Sequence, residues 1–420
     1  MKVLIIGGGL SGLSTAINLA DMGYDITLLE ASPKFGGKVY SFYSDKLKNE
    51  IDNGQHLMLG CYNETIKFLG KIKSLQYVDL INGINIPFVT NNNRIFYLKC
   101  SSNFYPFNLF YAFLTFKYLT LSEKMKIGGL FFDILFNKDK RDLSAYDYLI
   151  KHKQKELITK FWEPILISIF NCALTEISKN NLIKILKKIF LSDSKSFRFL
   201  LPNVPLNKIF IENSIKIFIE KGINYKVNER VVKVINNSDK ITEIITTKSK
   251  YNNFDYVVFA IPTYSLAKLF DLEILNTAKY NPIISAHLKV ITNKLTDKYY
   301  TIPGSPIQWI FNNGNVLSLV TSNPGKLIEL SENELKTLYL KELFKYFPQL
   351  SENDILECVI IKEKRATFIF NEQIETIREK FVLLFNNVLF AGDWTNTSLP
   401  STIESAILSG RLVADVLKNK

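Results

Sequence analysis

The hydrophobic positions near the N-terminus change their period twice. Residues 3–6 form a continuous apolar run, which is typical of a parallel strand covered on both faces. Residues 10–20 then carry apolar side chains at helical spacing, and residues 26–29 form a second apolar run. Because a helix joins two apolar strands, the pattern predicts a parallel βαβ unit.

The turn between the first strand and the helix has the glycine spacing GxGxxG. Gly7 permits the tight turn, Gly9 lets a pyrophosphate approach the backbone, and Gly12 lets the helix pack on the strand. Leu10 and Ser11 open the helix, whose free N–H groups and positive dipole end favour phosphates. The spacing alone also occurs in structural turns, but strand, turn and helix together indicate a dinucleotide site.

Charged residues follow the second strand. Glu30 ends that strand, and its carboxylate can accept hydrogen bonds from a ribose diol. Gly36, Gly37 and Lys38 come next, and they resemble the GG–Arg/Lys element of flavin-dependent amine oxidases and carotenoid desaturases. The glycines allow close backbone approach, and Lys38 is expected to place its charge near a pyrophosphate.

The far end of the chain predicts another strand and helix at the same edge of the sheet. Residues 388–391 form a short apolar run, and Gly392 and Asp393 follow it. Open α/β sheets bind ligands at the carboxyl ends of their strands. Residues 402–417 then repeat apolar side chains at helical spacing, so a second helix N-terminus is expected at this edge.

The start of this last helix carries candidate capping residues. Ser401 or Thr402 suits the N-cap position, and Glu404 follows in the manner of a capping box. In flavoproteins with two dinucleotide-binding domains, a similar segment binds FAD. That likeness implies that Asp393 holds the ribityl chain or the pyrophosphate. It also implies that Thr402 and the backbone N–H groups near Ile403 face the N1/O2 edge of the flavin.

Two strand-like segments lie in the middle of the chain, at residues 224–235 and 254–262. The first is similar to the adenine-contacting segment of the same flavoproteins, in which the backbone of a valine meets the adenine edge. This similarity makes Val231 a candidate for the adenine contact. The second segment looks like the strand that leaves the FAD domain.

The chain is therefore expected to have an α/β fold, a Rossmann-like two-dinucleotide-binding-domain FAD fold with an inserted α+β substrate domain. The FAD domain is predicted in three pieces, 1–75, 205–275 and 380–420. The substrate domain, predicted to face the membrane, takes 76–204 and 276–379. The sequence has no second GxGxxG for a nicotinamide cofactor, so electrons are expected from the substrate or from a separate donor.

Polar residues cluster in EIDNGQHLML, residues 50–59, where a plain core strand would be apolar. We interpret this segment as a strand that crosses beside the flavin ring. Gly54 would permit close approach of the ring. Asp52, Gln55 and His56 would place polar groups beside it.

Three segments carry a more specific resemblance: 52–65, 161–171 and 391–410. They are similar to the squalene-associated FAD-dependent desaturases, a group within the flavin amine oxidase and phytoene desaturase superfamily. The resemblance covers nearly the full chain, with Lys38 in place of the usual Arg and Ser398 in place of a frequent Gly. It implies squalene and hopanoid biosynthesis, in which hydride from reduced flavin N5 replaces the allylic hydroxyl of hydroxysqualene.

Loss of a hydroxyl group requires an acid. His56 is the first candidate, because an ordinary histidine pKa lies near neutrality and the residue is predicted beside the flavin. Asp52 could orient His56 or act as the acid itself, and Glu163 of the second segment is a third candidate. Each also has a structural interpretation: a backbone hydrogen bond for His56, a turn cap for Asp52, and a helix N-terminal position for Glu163.

Charge and cysteine content bear on partners and location. The formal net charge of +12 favours an anionic surface, and no basic run with interleaved aromatics indicates nucleic acid. Residues 103–136 are the most apolar part of the chain, and they form either buried core helices or a patch that docks on a membrane.

Four scattered cysteines and three histidines predict no metal site and fit a reducing compartment. With no signal peptide in the sequence, we expect a cytoplasmic protein on the inner face of the cell membrane.

Other functions share the predicted fold. A carotenoid or dehydrosqualene desaturase would use the same FAD site to oxidise its substrate. An amine oxidase needs an aromatic cage at the ring, for which Trp394 and Tyr62 are available, although a basic protein attracts cationic amines poorly. A non-catalytic, FAD-stabilised membrane scaffold would also retain the flavin motifs.

Overall fold

The computed structural model describes residues 1–101, 107–136, 143–191, 196–270, 278–291, 294–369 and 385–420. The described helices are α1 Leu10–Ala20, α2 Asn63–Lys71, α3 Asn108–Thr115, α4 Leu121–Phe136, α5 Ala145–Lys151, α6 Glu163–Phe170, α7 Lys179–Leu191, α8 Asn213–Lys221, α9 Thr263–Phe270, α10 Glu332–Tyr346 and α11 Ile403–Lys418. The described strands are β1 Lys2–Ile6, β2 Asp25–Leu29, β3 Ser41–Ser44, β4 Asn49–Asp52, β5 Met58–Leu59, β6 Val78–Asn82, β7 Ile84–Val89, β8 Ile95–Cys100, β9 Arg198–Pro202, β10 Asn224–Lys226, β11 Val231–Asn237, β12 Lys240–Thr246, β13 Lys250–Tyr251, β14 Tyr256–Phe259, β15 Tyr280–Val290, β16 Tyr299–Thr301, β17 Trp309–Asn312, β18 Val316–Ser322, β19 Ile355–Phe368 and β20 Val388–Phe390.

A five-stranded parallel sheet has the order β10–β2–β1–β14–β20. Ile5 of β1 lies between Leu28 of β2 and Val258 of β14. Helices α1 and α11 pack closely, because a Cβ atom at Gly410 would lie only 2.6 Å from the carbonyl oxygen of Ser11. Both helices follow strands of this sheet, so their N-termini share its carboxyl edge. The predicted Rossmann-like α/β fold is confirmed.

A second sheet has seven strands in the order β19–β15–β18–β17–β16–β7–β8. Its strands pair antiparallel, except that β16 pairs parallel with β7. One face of β15 packs in a hydrophobic cluster with α10, to which Ile284, Ala286 and Leu288 contribute. The sheet draws its strands from the predicted substrate region. The boundaries between domains stay a prediction, and part of them falls outside the described residues, at 271–277 and 370–384.

Residues 50–59 do not form the single strand predicted from the sequence. Strand β4 ends at Asp52, residues 53–57 leave the sheet, and β5 begins at Met58. Strand β4 pairs with β3 in a hairpin, while β5 joins a separate sheet of order β5–β9–β6. The prediction is wrong because the chain changes strand partners here. Asn53 still donates its backbone N–H to the carbonyl oxygen of Tyr40 at 3.0 Å, and its side-chain amide to that of Lys38 at 2.7 Å, but Met58 pairs with β9.

Helices α3 and α4 carry large apolar side chains on their outer faces as well as on their inner faces. Their inner faces pack in the largest described hydrophobic cluster through residues such as Phe113, Ile127 and Ile134. Their outer faces expose the α3–α4 patch, which consists of Phe107, Phe110, Tyr111, Leu114, Leu121, Met125, Phe132, Leu135 and Phe136. The core interpretation of residues 103–136 therefore holds for only one face of the described helices. Residues 103–106 of that segment lie outside the described residues.

Helix length limits how this patch could meet a bilayer. In the part of the chain that the structure describes, no helix is both apolar enough and long enough to traverse a membrane.

Candidate active site

The three glycines of the GxGxxG motif are required for different reasons. A Cβ atom at Gly7 would lie 2.4 Å from the carbonyl oxygen of Ala260, and one at Gly12 would lie 1.9 Å from that of Gly7. The fold itself therefore requires these two glycines. A Cβ atom at Gly9 would meet nothing nearer than the Cα atom of Gly37, at 3.9 Å, and the φ of Gly9 is −74°. Protein packing does not explain Gly9, whereas a pyrophosphate lying against its backbone does.

The loop after β2 closes over the glycine turn. Gly36 donates its N–H to the carbonyl oxygen of Gly8 at 2.9 Å, and Gly9 bridges to Gly36 as a short parallel pair. Leu10 and Ser11 form the buried first turn of α1. The structure thus brings both predicted glycine elements to one helix N-terminus.

Glu30 lies beside the same turn. Its carboxylate accepts hydrogen bonds from the N–H groups of Gly8 and Ser32, each at 2.7 Å. Its carbonyl oxygen accepts from the N–H of Glu229 at 2.8 Å, which holds the start of β11, and therefore Val231, near the loop. A carboxylate has about four acceptor positions, so Glu30 keeps capacity for a ribose diol.

Lys38 and Asp393 form an ion pair although they are 355 residues apart in sequence. Their Nζ and Oδ2 atoms lie 2.8 Å apart, and the Ser401 hydroxyl donates to the same Asp393 oxygen. The Lys38 ammonium also lies 5.5 Å from the ring centre of Tyr280. The pair joins the two ends of the chain at the carboxyl edge of the parallel sheet, where both residues were predicted to meet the cofactor.

Thr402, rather than Ser401, is the N-cap of α11. Its hydroxyl accepts from the N–H of Ser405 at 3.2 Å, and the helix begins at Ile403. The first N–H groups of a helix have no partner within the helix, so this terminus offers donors to a ligand. Gly392 lies just upstream, and a Cβ atom there would come within 2.5 Å of the Trp394 indole nitrogen.

Glu404 does not complete the predicted capping box. Its buried carboxylate instead accepts from the N–H groups of Glu64 and Thr65, at 3.1 and 2.9 Å, and from the Thr65 hydroxyl at 2.8 Å. Burial raises the pKa of Glu404. Glu404 thus caps α2 and ties it to α11, a long-range partnership that no local pattern predicts.

Asp52, which directly precedes residues 53–57, holds two other segments of the chain by hydrogen bonds. Its Oδ1 atom accepts from the Ser41 hydroxyl at 2.6 Å and from the N–H of Leu206 at 3.0 Å. Burial raises the pKa of Asp52 to about 6, against the opposing effect of these hydrogen bonds. The structure shows no hydrogen bond between Asp52 and His56 among its described residues. Gly54 has no atom within 4 Å of the position of a Cβ, which leaves room for a flat ring.

Replacing Asp52 by Asn should make stability less sensitive to pH. The pKa of the carboxyl rises from 3.8 in the unfolded chain to about 6 in the folded chain, so the native state holds a proton that the unfolded state has lost between these values. Native stability therefore falls as the pH rises from about 4 to about 6. The free energy of unfolding of Asp52→Asn, relative to the parent protein, should increase by about 3 kcal/mol at most over this range.

Urea unfolding of both proteins at pH 4, 5 and 7 measures this difference directly, because other titrating groups cancel in the comparison. A relative stability that stays constant with pH would show that the Asp52 carboxyl is solvated.

His56 does not have the near-neutral pKa expected of it. Burial lowers the pKa of His56 to about 4, so the ring is uncharged at neutral pH. The residue follows Gly54 and Gln55, and Gln55 accepts from the side-chain amide of Asn313 at 3.2 Å. A neutral imidazole can donate one hydrogen bond but carries no positive charge, and the acid role of His56 stays a prediction.

Glu163 lies at a different place from His56. It opens α6 directly before Pro164, as the structural interpretation expected. Its side chain lines a cavity of about 230 Å³ between α6 and the loop that contains Gly304 and Gln308. None of the predicted flavin-binding residues lines this cavity. Neither Asp52 nor His56 lines this cavity, and the catalytic role of Glu163 stays a prediction.

The aromatic pair considered for an amine oxidase cage is separated. Trp394 is buried, donates its indole N–H to the carbonyl oxygen of Ile261 at 3.0 Å, and packs on Phe390. Tyr62 instead lies against Thr402, and burial raises the pKa of its hydroxyl. The two residues contribute to different hydrophobic clusters.

A sequence model of flavin-containing amine oxidoreductases matches residues 10–418, and the chain belongs to this family. It is an FAD-dependent oxidoreductase, as the sequence predicts. The backbone space at Gly9 and Gly54, the acceptor Glu30 and the two helix N-termini suit the phosphates, ribose and ring of that cofactor.

Individual relatives refine the comparison. The chain is 25% identical to a hydroxysqualene dehydroxylase of Zymomonas mobilis, over 98% of both chains. It is 26% identical to a 15-cis-phytoene desaturase of an Oncidium hybrid cultivar, over 99% of this chain and 78% of that protein. An oxidoreductase of Methanosarcina mazei has the same fold, with a TM-score of 0.76 and 14% identity over 99% and 100% of the two chains. The resemblance to squalene-associated desaturases is confirmed.

Proposed function

We propose that the protein removes the hydroxyl group of hydroxysqualene to give squalene. The largest hydrophobic cluster carries this proposal, because it is continuous from the predicted flavin site to the outer helices. Leu57, the last of residues 53–57, and Tyr62 pack against it, and it includes Leu399 just before α11 and Phe113 and Ile134 beneath the α3–α4 patch. Apolar surroundings of this kind suit an isoprenoid chain and offer a charged amine nothing. The similarity to hydroxysqualene dehydroxylases supports the same substrate.

The proposed roles of the chain's residues follow from their positions. In the net reaction, reduced FAD would give up one hydride, which replaces the hydroxyl at carbon, and one proton, which completes the leaving hydroxyl as water, and would become oxidised FAD. Gly9, Glu30 and Lys38 would hold the dinucleotide, and α11 would offer it backbone donors. The uncharged His56 would not oppose positive charge that develops on the allylic carbon. The apolar cluster excludes water that would otherwise capture that carbon.

A desaturase is the second candidate, because phytoene and zeta-carotene desaturases are also relatives over nearly the whole chain. Such an enzyme would bind a similar isoprenoid but would take hydride from it. The direction of transfer separates the two candidates. Reduced protein should convert hydroxysqualene to squalene, and oxidised protein should leave phytoene and dehydrosqualene unchanged, as judged by mass spectrometry of the extracted lipids. New double bonds formed by the oxidised protein would favour the desaturase instead.

We also propose that the α3–α4 patch docks on an anionic bilayer and receives the substrate there. Eight large apolar side chains are exposed on these two helices and a ninth, Phe107, directly precedes α3, and monomeric proteins rarely expose large apolar patches without use. Lys117 is exposed between the helices, and the chain as a whole carries a net charge of +12. Interfacial helices bury apolar side chains at the headgroup boundary and keep lysines at its surface. The scattered cysteines favour the inner face of the cell membrane as the site of docking.

A further inference from the structure

Strand β15 presents different chemistry on its two faces. Ile284, Ala286 and Leu288 face α10 in an apolar cluster. Side chains alternate along a strand, so Ser285 and His287 point to the opposite face. There they are almost fully buried, with exposed fractions of 1% and 0%. Two polar residues thus replace apolar ones in the middle of a seven-stranded sheet.

This polar face is turned toward the predicted flavin site. Lys289, which shares the face, donates its ammonium to the side chain of Asn49 on β4. Trp309 and Phe311 lie on β17, two strands from β15 in the same sheet, and belong to the same hydrophobic cluster as Leu57, the residue after His56. The polar face of β15 and residues 53–57 therefore adjoin one hydrophobic cluster.

Two polar atoms on this face lack hydrogen-bond partners among the described residues. His287 Nδ1 hydrogen-bonds the Ser318 hydroxyl of the adjacent strand at 2.8 Å. Its Nε2 atom and the Ser285 Oγ atom have no hydrogen-bond partner in the part of the chain that the structure describes. Residues i and i+2 of a strand lie on one face, so both atoms are on the same side of the sheet. Buried polar groups are almost always satisfied, and an exception indicates an absent ligand or a functional role.

The surroundings select the kind of ligand. Val320 and Phe311 lie on the same face in the strands beyond His287, so the hydroxyl and imidazole groups have apolar neighbours. Burial lowers the pKa of His287 to about 4, which leaves the ring neutral at pH 7. A neutral imidazole and a hydroxyl bind a neutral oxygen that can both donate and accept.

We infer that His287 Nε2 and Ser285 Oγ form a subsite for a single hydroxyl group, that of the isoprenoid alcohol substrate. The inference rests on the proposed function and deepens it, because the same oxygen leaves as water in the proposed reaction. A resident water molecule would offer the same chemistry, so the test must separate these two sources.

The test is a binding titration on oxidised holoenzyme, which has no hydride to give and so leaves the alcohol intact. Hydroxysqualene and squalene are titrated separately in detergent micelles, and the change in flavin absorbance reports binding. The parent protein should bind the alcohol about 10-fold to 100-fold more tightly than the hydrocarbon. Ser285→Ala and His287→Leu should each reduce this preference about 10-fold or more, while His287→Gln, which keeps a nitrogen donor near the Nε2 position, should retain part of it.

Ser285→Ala protects the test against misfolding, because it removes only a hydroxyl that has no partner among the described residues. An unchanged preference in Ser285→Ala and His287→Leu would overturn the inference and leave the two polar atoms to a structural water. Equal binding of the two lipids by the parent protein would overturn it as well. The proposed reaction can fail while the subsite stands. This is the outcome if the parent protein prefers the alcohol and Ser285→Ala loses the preference, but the reduced protein makes no squalene.

Discussion

Gly9→Val is expected to give a folded protein that no longer binds FAD. The backbone of Gly9 has an ordinary extended conformation, and a Cβ atom there would meet no protein atom nearer than 3.9 Å. The cofactor-free fold therefore tolerates a side chain at this position, whereas the pyrophosphate would collide with it. Affinity for FAD should fall at least about 100-fold, equivalent to about 3 kcal/mol. Flavin absorbance of the purified protein and the thermal midpoint of the cofactor-free protein measure the two effects separately.

Two other glycines provide controls for this prediction. Gly12→Ala would place its Cβ atom 1.9 Å from the carbonyl oxygen of Gly7, so it should damage the fold with or without the cofactor. Gly128 on α4 has no atom within 4 Å of the position of a Cβ, and Gly128→Val should therefore stay yellow. A yellow Gly9→Val protein would exclude this turn as the pyrophosphate site.

The double variant Leu121→Glu/Phe132→Glu should lose membrane binding without losing stability. Both side chains are already exposed in the α3–α4 patch, by 73% and 66%, so their replacement removes little packing. On a bilayer, however, two apolar contacts become two anionic groups that face anionic headgroups. Partitioning onto phosphatidylglycerol vesicles should fall about 100-fold, as measured by co-sedimentation at low salt.

Ile219→Glu is the matched control for the double variant, because Ile219 is 70% exposed on α8 and lies outside the patch. It should sediment with vesicles like the parent protein. Parent binding should also weaken at high salt, since part of it is electrostatic. Equal sedimentation of the double variant and the parent would contradict docking of the α3–α4 patch on a membrane. A parent protein that dimerises in solution, with the double variant monomeric, would assign the patch to a second copy.

The parallel sheet was predictable because its signals are local. The apolar run of β1, the glycine spacing and Glu30 fall within the first thirty residues, and the last strand and helix repeat the same logic near Asp393. Each of these signals depends on chain geometry at a strand end, which tertiary context rarely overrides. The structure accordingly brings Lys38 and Asp393 together, as two independent local patterns implied.

The remaining features of the site depend on distant contacts. The pKa of His56 is set by segments that bury it, and Glu404 finds its partner Thr65 at a separation of 339 residues. The two-sided apolar character of α3 and α4 fits buried helices and interfacial helices equally well at the level of sequence. The polar pair on β15 was overlooked because one histidine in an apolar strand is ordinarily a satisfied core residue. The signal that reveals it is the absence of a partner for His287 Nε2 in the described structure.

The most direct test of the proposed function is a single turnover without oxygen. Purified holoenzyme is reduced, freed of excess reductant, and mixed with hydroxysqualene in detergent, while flavin absorbance and extracted lipids are followed together. The account predicts that the absorbance of oxidised flavin returns and that one squalene forms for each flavin oxidised. Flavin that stays reduced in the presence of intact hydroxysqualene would contradict the proposed reaction.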